Sequence, residues 1–320
     1  MCNGTIMDKL ISFSIPLMLS GILQLMFNAV DIVVVGRFSG SQALAAVGST
    51  TALINVFTNL FIGISLGANV LAARYYAAGK TKEMSETVHT AIALALVSGV
   101  AMAVIGVVFA RGALEIMGTP DDVIAKSTLY MQIYFCGMPF FMMYNYGAAI
   151  LRAVGDTKRP LIFLIVSGVI NAVLNLFLVI VFHLDVAGVG IATVISQLVS
   201  CILVLRCLHH TESSYQLHLA KLRIRSVYLK QIFEVGVPAG IQSTVINISN
   251  AMLQSSVNSF GSIAMAGYTA SNNIFGFLYV SVNSFTQACM SFTSQNYGVK
   301  KLKRMDRVLI DCMILSVVVT

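Results

Sequence analysis

An aspartate stands inside the apolar run LQLMFNAVDIVVVGRF, residues 23–38. Asp31 lies six residues before Arg37, about 9 Å of helical rise. An aspartate near the centre of a spanning helix costs about 2.5–3.5 kcal/mol on insertion scales, so a position that keeps one is expected to use it. Gln24, Asn28 and Asp31 fall at i, i+4 and i+7 and therefore share one helix face. Asn171 and Asn175 stand at i and i+4 in a second apolar segment, and Thr193 stands in the next. Counted from His183 and Asp185, Asn175 and Thr193 each lie about 12 Å into their segments. That brings them level with Asp31, with Asn171 one turn deeper. Oxygen-bearing side chains gathered at one level would hold a sodium ion or a proton-linked network. A carboxyl group out of water is penalised in its charged form. Trading a proton or a sodium ion with one side at a time is what an antiporter needs. Taken singly, the asparagines and the threonine also suit plain inter-helix hydrogen bonds, which average about 0.6 kcal/mol.

The elements that must position these residues are spanning helices. The chain is 57% hydrophobic and 10% charged, with a mean hydropathy of +0.85. A soluble domain carries roughly 25% charged residues, so this composition describes an integral membrane protein of all-α class. A spanning helix needs about 20 mostly apolar residues. Eight such segments run through 11–36, 46–73, 88–110, 126–151, 161–182, 187–208, 231–257 and 265–295, and a further one begins near 308. Nothing alternates with the period of a membrane β-barrel. The first segment is too long for the core of a signal peptide and lacks a small-residue cleavage site, so it is expected to remain as a helix.

Sixteen of the 20 lysines and arginines fall in alternate connections, after the second, fourth, sixth and eighth segments. The positive-inside rule makes those connections cytoplasmic, and with them the amino terminus. This placement also accounts for the net charge of +7 without a nucleic-acid partner. Six cysteines, none in a C-x-x-C pair, are read as small buried hydrophobes, with no structural metal site or bound cofactor. His209, His210 and His218 are read as solvated in a cytoplasmic connection.

The chain also repeats itself. FSIPLMLSGILQLMFNAVD in the first segment aligns with FEVGVPAGIQSTVINISNAM in the seventh, which pairs Pro16 with Pro238. With one residue deleted, Tyr76 and Met84 pair with Tyr297 and Met305. Six intervening helices give both copies one orientation, as in transporters that rock two bundles about a central site. The expected division is a six-helix lobe at 1–208, an inter-lobe linker at 209–230 and a partial second lobe at 231–320. Two full copies would need roughly 440 residues, so the chain is expected to be truncated after about eight and a half helices.

A Met- and aromatic-rich stretch, YMQIYFCGMPFFMMYNYGAAI (130–150), offers an adaptable, cation–π-capable surface. Tyr134, Met138 and Asn145 from it join Gln24 and Asn28 as candidates to line a substrate cavity. Bland helix packing is the competing reading. Gly63 and Gly67 have the spacing of a close helix contact.

VDIVVVGRFSGSQALAAVG (30–48), ILRAVGDTKRP (150–160), NAVLNLFLVI (171–180) and VAGVGIATVISQ (186–197) closely resemble signature stretches of the multidrug and toxic compound extrusion (MATE) family, in its DinF/MepA-like bacterial branch. The resemblance implies a twelve-helix fold of two six-helix lobes. It implies export of cationic amphiphilic drugs or toxins in exchange for protons or sodium ions, by a monomer in the bacterial plasma membrane. It also implies an amino-lobe cation site to which Asp31, Asn171 and Thr193 correspond. Asn175 departs, since many members carry aspartate there, and this weakens a sodium site. A carboxy-lobe glutamate found in NorM-type members has no counterpart in GVPAGIQSTVIN around Pro238. The rival readings are a lipid-linked saccharide flippase of related fold and a receptor of about seven helices. The first would need several basic residues in its cavity, and the second would leave the repeat unexplained. An enzyme is not expected, because no acid/base pair or metal cluster lies within the spans.

Overall fold

The computed structural model describes residues 1–258 and 262–319, and every long element among them is a helix. In chain order they are α1 (Ile6–Phe38), α2 (Gly40–Ala77), α3 (Thr81–Ile116), α4 (Asp121–Cys136), α5 (Met138–Ala153), α6 (Lys158–Leu176), α7 (Asp185–His209), α8 (Ser226–Asn258), α9 (Ser262–Gly298) and α10 (Leu302–Val319). A π-helical turn, Phe177–Val181, extends α6. Among the described residues, α1, α2, α3, α6 with its π turn, and α7 are long and apolar enough to cross a membrane. The predicted span 126–151 forms α4 and α5, two 16-residue helices that meet at Gly137. Pro139 accounts for the break, because it has no N–H to continue the ladder of α4.

Small residues let the helices come close. Gly63 of α2 lies against the backbone of Gly240 of α8, and Gly67 lies against the Ile232 carbonyl and Gly236. A Cβ at either glycine of α2 would overlap α8 backbone, so the seam exists only because those side chains are absent. Next to this seam, Asn69 of α2 carries a polar link to α5 and α9. Asn69 Nδ2 donates to the Ala149 carbonyl at 2.8 Å, and Ser291 Oγ of α9 donates to Asn69 Oδ1 at 3.0 Å.

A large apolar core joins α2, α3, α4, α5 and α7, with Phe135, Met131, Met138, Met142, Tyr146 and Ile150 fully buried. A second, smaller core joins Leu10, Phe13 and Leu17 of α1 to Ala288 and Phe292 of α9 and to Val308 and Cys312 of α10. Phe13 and Phe292 meet edge to face at 5.5 Å. The first half of α1 thus packs on α9 and α10, while Phe27 in its second half lies over Gly168 of α6.

The segment before α8 is docked on α3. Glu86 pairs with Arg223 at 2.5 Å and with Arg225 at 3.3 Å. His218 donates its backbone N–H to His89 Nε2 at 3.1 Å, and the two rings stack. The reading of His218 as solvated is therefore corrected, whereas His209 and His210 are exposed as expected. At the amino-terminal end, Lys301 and Arg304 at the start of α10 hold the carbonyls of Cys2 and Gly4, just before α1. In each case a helix distant in sequence, α3 or α10, grips the segment that leads into a long helix, α8 or α1. All six cysteines are free thiols.

Candidate functional site

Asp31 stands at the wall of a cavity of about 350 Å³ lined by α1, α2, α4, α5, α6 and α7. Four helices contribute to it with one spacing. α1 presents Gln24, Phe27, Asn28 and Asp31, and α2 presents Asn55, Thr58, Asn59 and Ile62. α6 presents Leu164, Ser167, Gly168 and Asn171, and α7 presents Thr193, Ser196, Gln197 and Ser200. Each set is i, i+3, i+4, i+7, the single face that an α-helix turns to one side. α4 and α5 add Tyr130, Tyr134, Phe141, Tyr144 and Asn145. Among the described residues, no lysine, arginine or histidine lines the cavity, and Asp31 is its one carboxylate.

The four residues expected to form a coupling site are joined by hydrogen bonds. Asn175 Nδ2 donates to Asp31 Oδ1 across the α6–α1 contact. The same amide donates to Asn171 Oδ1 at 3.2 Å, and Asn171 Nδ2 reaches Thr193 Oγ1 at 3.4 Å. Thr193 Oγ1 donates its own hydrogen bond to the Val189 carbonyl at 2.9 Å. Asn171 and Asn175 are buried and Asp31 is half-buried. Asn175 Oδ1 has no hydrogen-bond partner although its residue is fully buried. The network therefore points its donors at oxygens and leaves one carbonyl oxygen unsatisfied beside a carboxylate.

Of the substrate-cavity candidates, Gln24, Asn28, Tyr134 and Asn145 line this cavity. Met138 does not. It is fully buried in the core between α2, α3, α5 and α7, its side chain one position away from the Gly137 break. Sequence reasoning missed Asn55, Thr58 and Asn59 on α2, and Ser196, Gln197 and Ser200 on α7. The i, i+3, i+4, i+7 recurrence of polar residues in each apolar segment is the signal that marks them.

The arrangement excludes some chemistry. A cavity with one carboxylate, many amides and no basic group attracts cations and disfavours anions. Among the described residues, no cluster of three His, Cys, Asp or Glu side chains is placed to hold a metal ion. A sodium ion would need several oxygen ligands. Asp31, Asn171 and Thr193 supply oxygens at this level, but Asn175 turns its nitrogen toward Asp31.

A family model described as MatE matches residues 16–177 and 238–320. The probable multidrug resistance protein YoeA of Bacillus subtilis (strain 168) is 32% identical over 304 residues, covering 93% of this chain and 66% of that protein. The probable multidrug resistance protein YpnP of the same organism is 26% identical over 304 residues, covering 94% of this chain and 67% of its own length. The chain thus spans about two thirds of the length of the curated relatives it matches. A solved structure described as MATE in the bent conformation superposes with a TM-score of 0.92 at 21% identity, covering 99% of this chain and 71% of that one.

Proposed function

The chain belongs to the MatE family, whose members are transporters rather than enzymes, and on that premise we propose that it exports organic cations in exchange for protons taken up at Asp31. The observation that carries this reading is the hydrogen bond from Asn175 to Asp31 at the wall of a cavity whose described lining holds no basic residue. Ionised, Asp31 accepts from Asn175 and offers one negative charge to an organic cation in the cavity. Protonated, it loses that charge and with it the attraction for the cation. Proton and substrate then compete for one carboxylate, which is sufficient for exchange when the cavity opens to one side at a time.

The coupling ion in this reading is a proton, because the donor set supports it better than sodium. A second carboxylate at position 175 would complete a sodium shell, and the Asn175 amide donates there instead. The energetics are adequate. A membrane potential contributes about 2.3 kcal/mol per charge per 100 mV, and each tenfold substrate gradient requires about 1.4 kcal/mol. Residues 1–208 act as the first lobe, 209–230 as the linker and 231–320 as part of the second, within a monomer of the bacterial plasma membrane whose amino terminus is cytoplasmic. A flippase for lipid-linked pyrophosphates would need cations in the cavity, and its described lining has none.

The test is efflux of a fluorescent organic cation from drug-sensitive cells with imposed pH or sodium gradients, comparing wild type with Asp31→Asn at equal membrane levels. Export that follows the pH gradient and is lost in Asp31→Asn supports the reading. Equal export by both, or dependence on sodium alone, overturns it.

A further inference from the structure

The lining of the Asp31 cavity says more than that its ligand is a cation. Its hydroxyl donors are largely committed. Thr58, Ser167, Thr193, Ser196 and Ser200 each donate to a carbonyl three or four residues earlier in their own helix. Its amides are not. The side chains of Gln24, Asn28, Asn55 and Asn59 make no hydrogen bond among the described residues, and Gln197 Oε1 is buried without a partner. Four carboxamides on α1 and α2 therefore converge with free donors and acceptors on the space beside Asp31, and Gln197 of α7, whose side chain also bonds Tyr134, adds an unpartnered oxygen at its edge.

Water satisfies such groups when the cavity is empty of ligand. An apolar cation that displaces this water strips the amides of partners, and each polar group left unpaired costs free energy. A cation that carries hydroxyl, amine or amide groups replaces the water bond for bond. A site built to hydrogen-bond its ligand rejects the analogue that lacks those groups far more strongly than an apolar pocket rejects an added methyl.

We propose that the cavity selects hydrophilic organic cations, those bearing hydroxyl, amine or amide groups around the positive charge, over purely apolar cations of equal size. Asn55, Asn59 and Gln197 read those groups while Asp31 holds the charge. The inference rests on the reading of Asp31 as the cation's counter-charge and goes beyond it by naming what surrounds the charge in the ligand.

An isosteric pair of probes tests it. Tris(2-hydroxyethyl)methylammonium and tripropylmethylammonium carry the same charge and nearly the same volume, and differ by three hydroxyls in place of three methyls. Binding of each to the purified 320-residue chain is measured by calorimetry or equilibrium dialysis, for wild type, Asp31→Asn, Asn59→Leu and Gln197→Leu. The hydroxylated cation is expected to bind wild type at least tenfold tighter, as follows from net hydrogen bonds of about 1 kcal/mol each. Asn59→Leu and Gln197→Leu should shrink that ratio toward one or invert it while the protein keeps its melting behaviour. Asp31→Asn should weaken both probes alike. Equal or tighter binding of the propyl cation to wild type, with both still dependent on Asp31, overturns the selectivity and leaves the cation site standing. Binding of neither probe, or binding indifferent to Asp31→Asn, overturns the cation site itself and the selectivity with it.

Discussion

Gly67→Ala is the substitution whose consequence the structure fixes most tightly. A Cβ at Gly67 would overlap the Ile232 carbonyl and crowd Gly236 N, 2.9 Å away. Those atoms are backbone of a 33-residue helix, so no side-chain rotation relieves the overlap and α8 must move as a body. Overpacking a close contact costs about 1–3 kcal/mol, and a backbone neighbour places this case near the upper end. Alanine's helix propensity over glycine returns about 1 kcal/mol. The net loss is about 2 kcal/mol, which lowers a melting midpoint by roughly 4–8 °C for a domain of a few hundred residues. Gly112 of α3 is the matched control, since a Cβ there meets nothing within 4 Å. Gly112→Ala keeps only the propensity gain and is expected to raise the midpoint slightly. The assay is thermal unfolding of the purified protein in detergent micelles, followed by helical circular dichroism. A Gly67→Ala protein that melts at or above wild type would refute the argument that the α2–α8 seam depends on bare backbone.

Three further outcomes follow from neighbouring contacts. Asn69→Leu removes the partner of both the Ala149 carbonyl and the Ser291 hydroxyl, and at about 1–3 kcal/mol per stranded buried group it should destabilise more than Gly67→Ala in the same melting assay. Met138→Ala should cost about 2–5 kcal/mol as a cavity in the core, yet leave cation affinity of the Asp31 cavity within about twofold, which separates a core residue from a lining one. Glu86 is held below the ordinary carboxylate range, first by its hydrogen bond from Arg223 and against a smaller effect of burial. A group depressed in the folded state contributes its full stability above its unfolded value, near 4.3, and loses it as pH falls through the folded one. The stability difference between wild type and Glu86→Gln, about 1 kcal/mol for a solvent-screened pair, should therefore be flat above about pH 5 and shrink on further acidification. A difference that grows on acidification would contradict the pairing with Arg223 and Arg225.

The helices were legible because apolar length is the dominant signal in a chain of this composition. Apart from Gly137 and Phe182, the eight expected segments are helical in the structure, and helices run past most of them by several residues, as in α1 (Ile6–Phe38) against 11–36. Helical hydrogen bonding continues into the polar boundary, where hydropathy has already fallen. The break at Gly137 was hidden inside one apolar run, since Pro139 does not lower hydropathy enough to divide it. Asp31, Asn171, Asn175 and Thr193 were singled out by residue type and depth, and the structure joins them by hydrogen bonds. Asn55, Asn59 and Gln197 were not found, because a lone asparagine or glutamine in a span equally suits inter-helix bonding. Only their phase relative to Thr58, Ile62, Thr193 and Ser200 identifies the face they share. Met138 failed for the converse reason. Methionine suits a ligand surface and a core alike, and one residue of helical rotation, about 100°, decides between them.

The substitution at position 175 bears on the coupling ion through geometry alone. An ionised Asp31 needs donors, and Asn175 supplies one from Nδ2 while spending another on Asn171. That orientation strands Asn175 Oδ1, buried and without a partner. A carboxamide rotated by half a turn exchanges its nitrogen and oxygen in place, which an aspartate cannot do. In the proton-coupled reading the rotated amide would accept from the protonated carboxyl of Asp31, so one residue serves both charge states of its neighbour. A sodium ion uses only the oxygen-presenting orientation and gains nothing from the other. Asn175→Leu removes both options at nearly constant volume. It should abolish pH-driven efflux without removing the charge that binds the cation, so cation binding to the purified chain at neutral pH should survive while transport does not. Undiminished pH-driven transport by Asn175→Leu would show that Asp31 exchanges its proton without help from position 175.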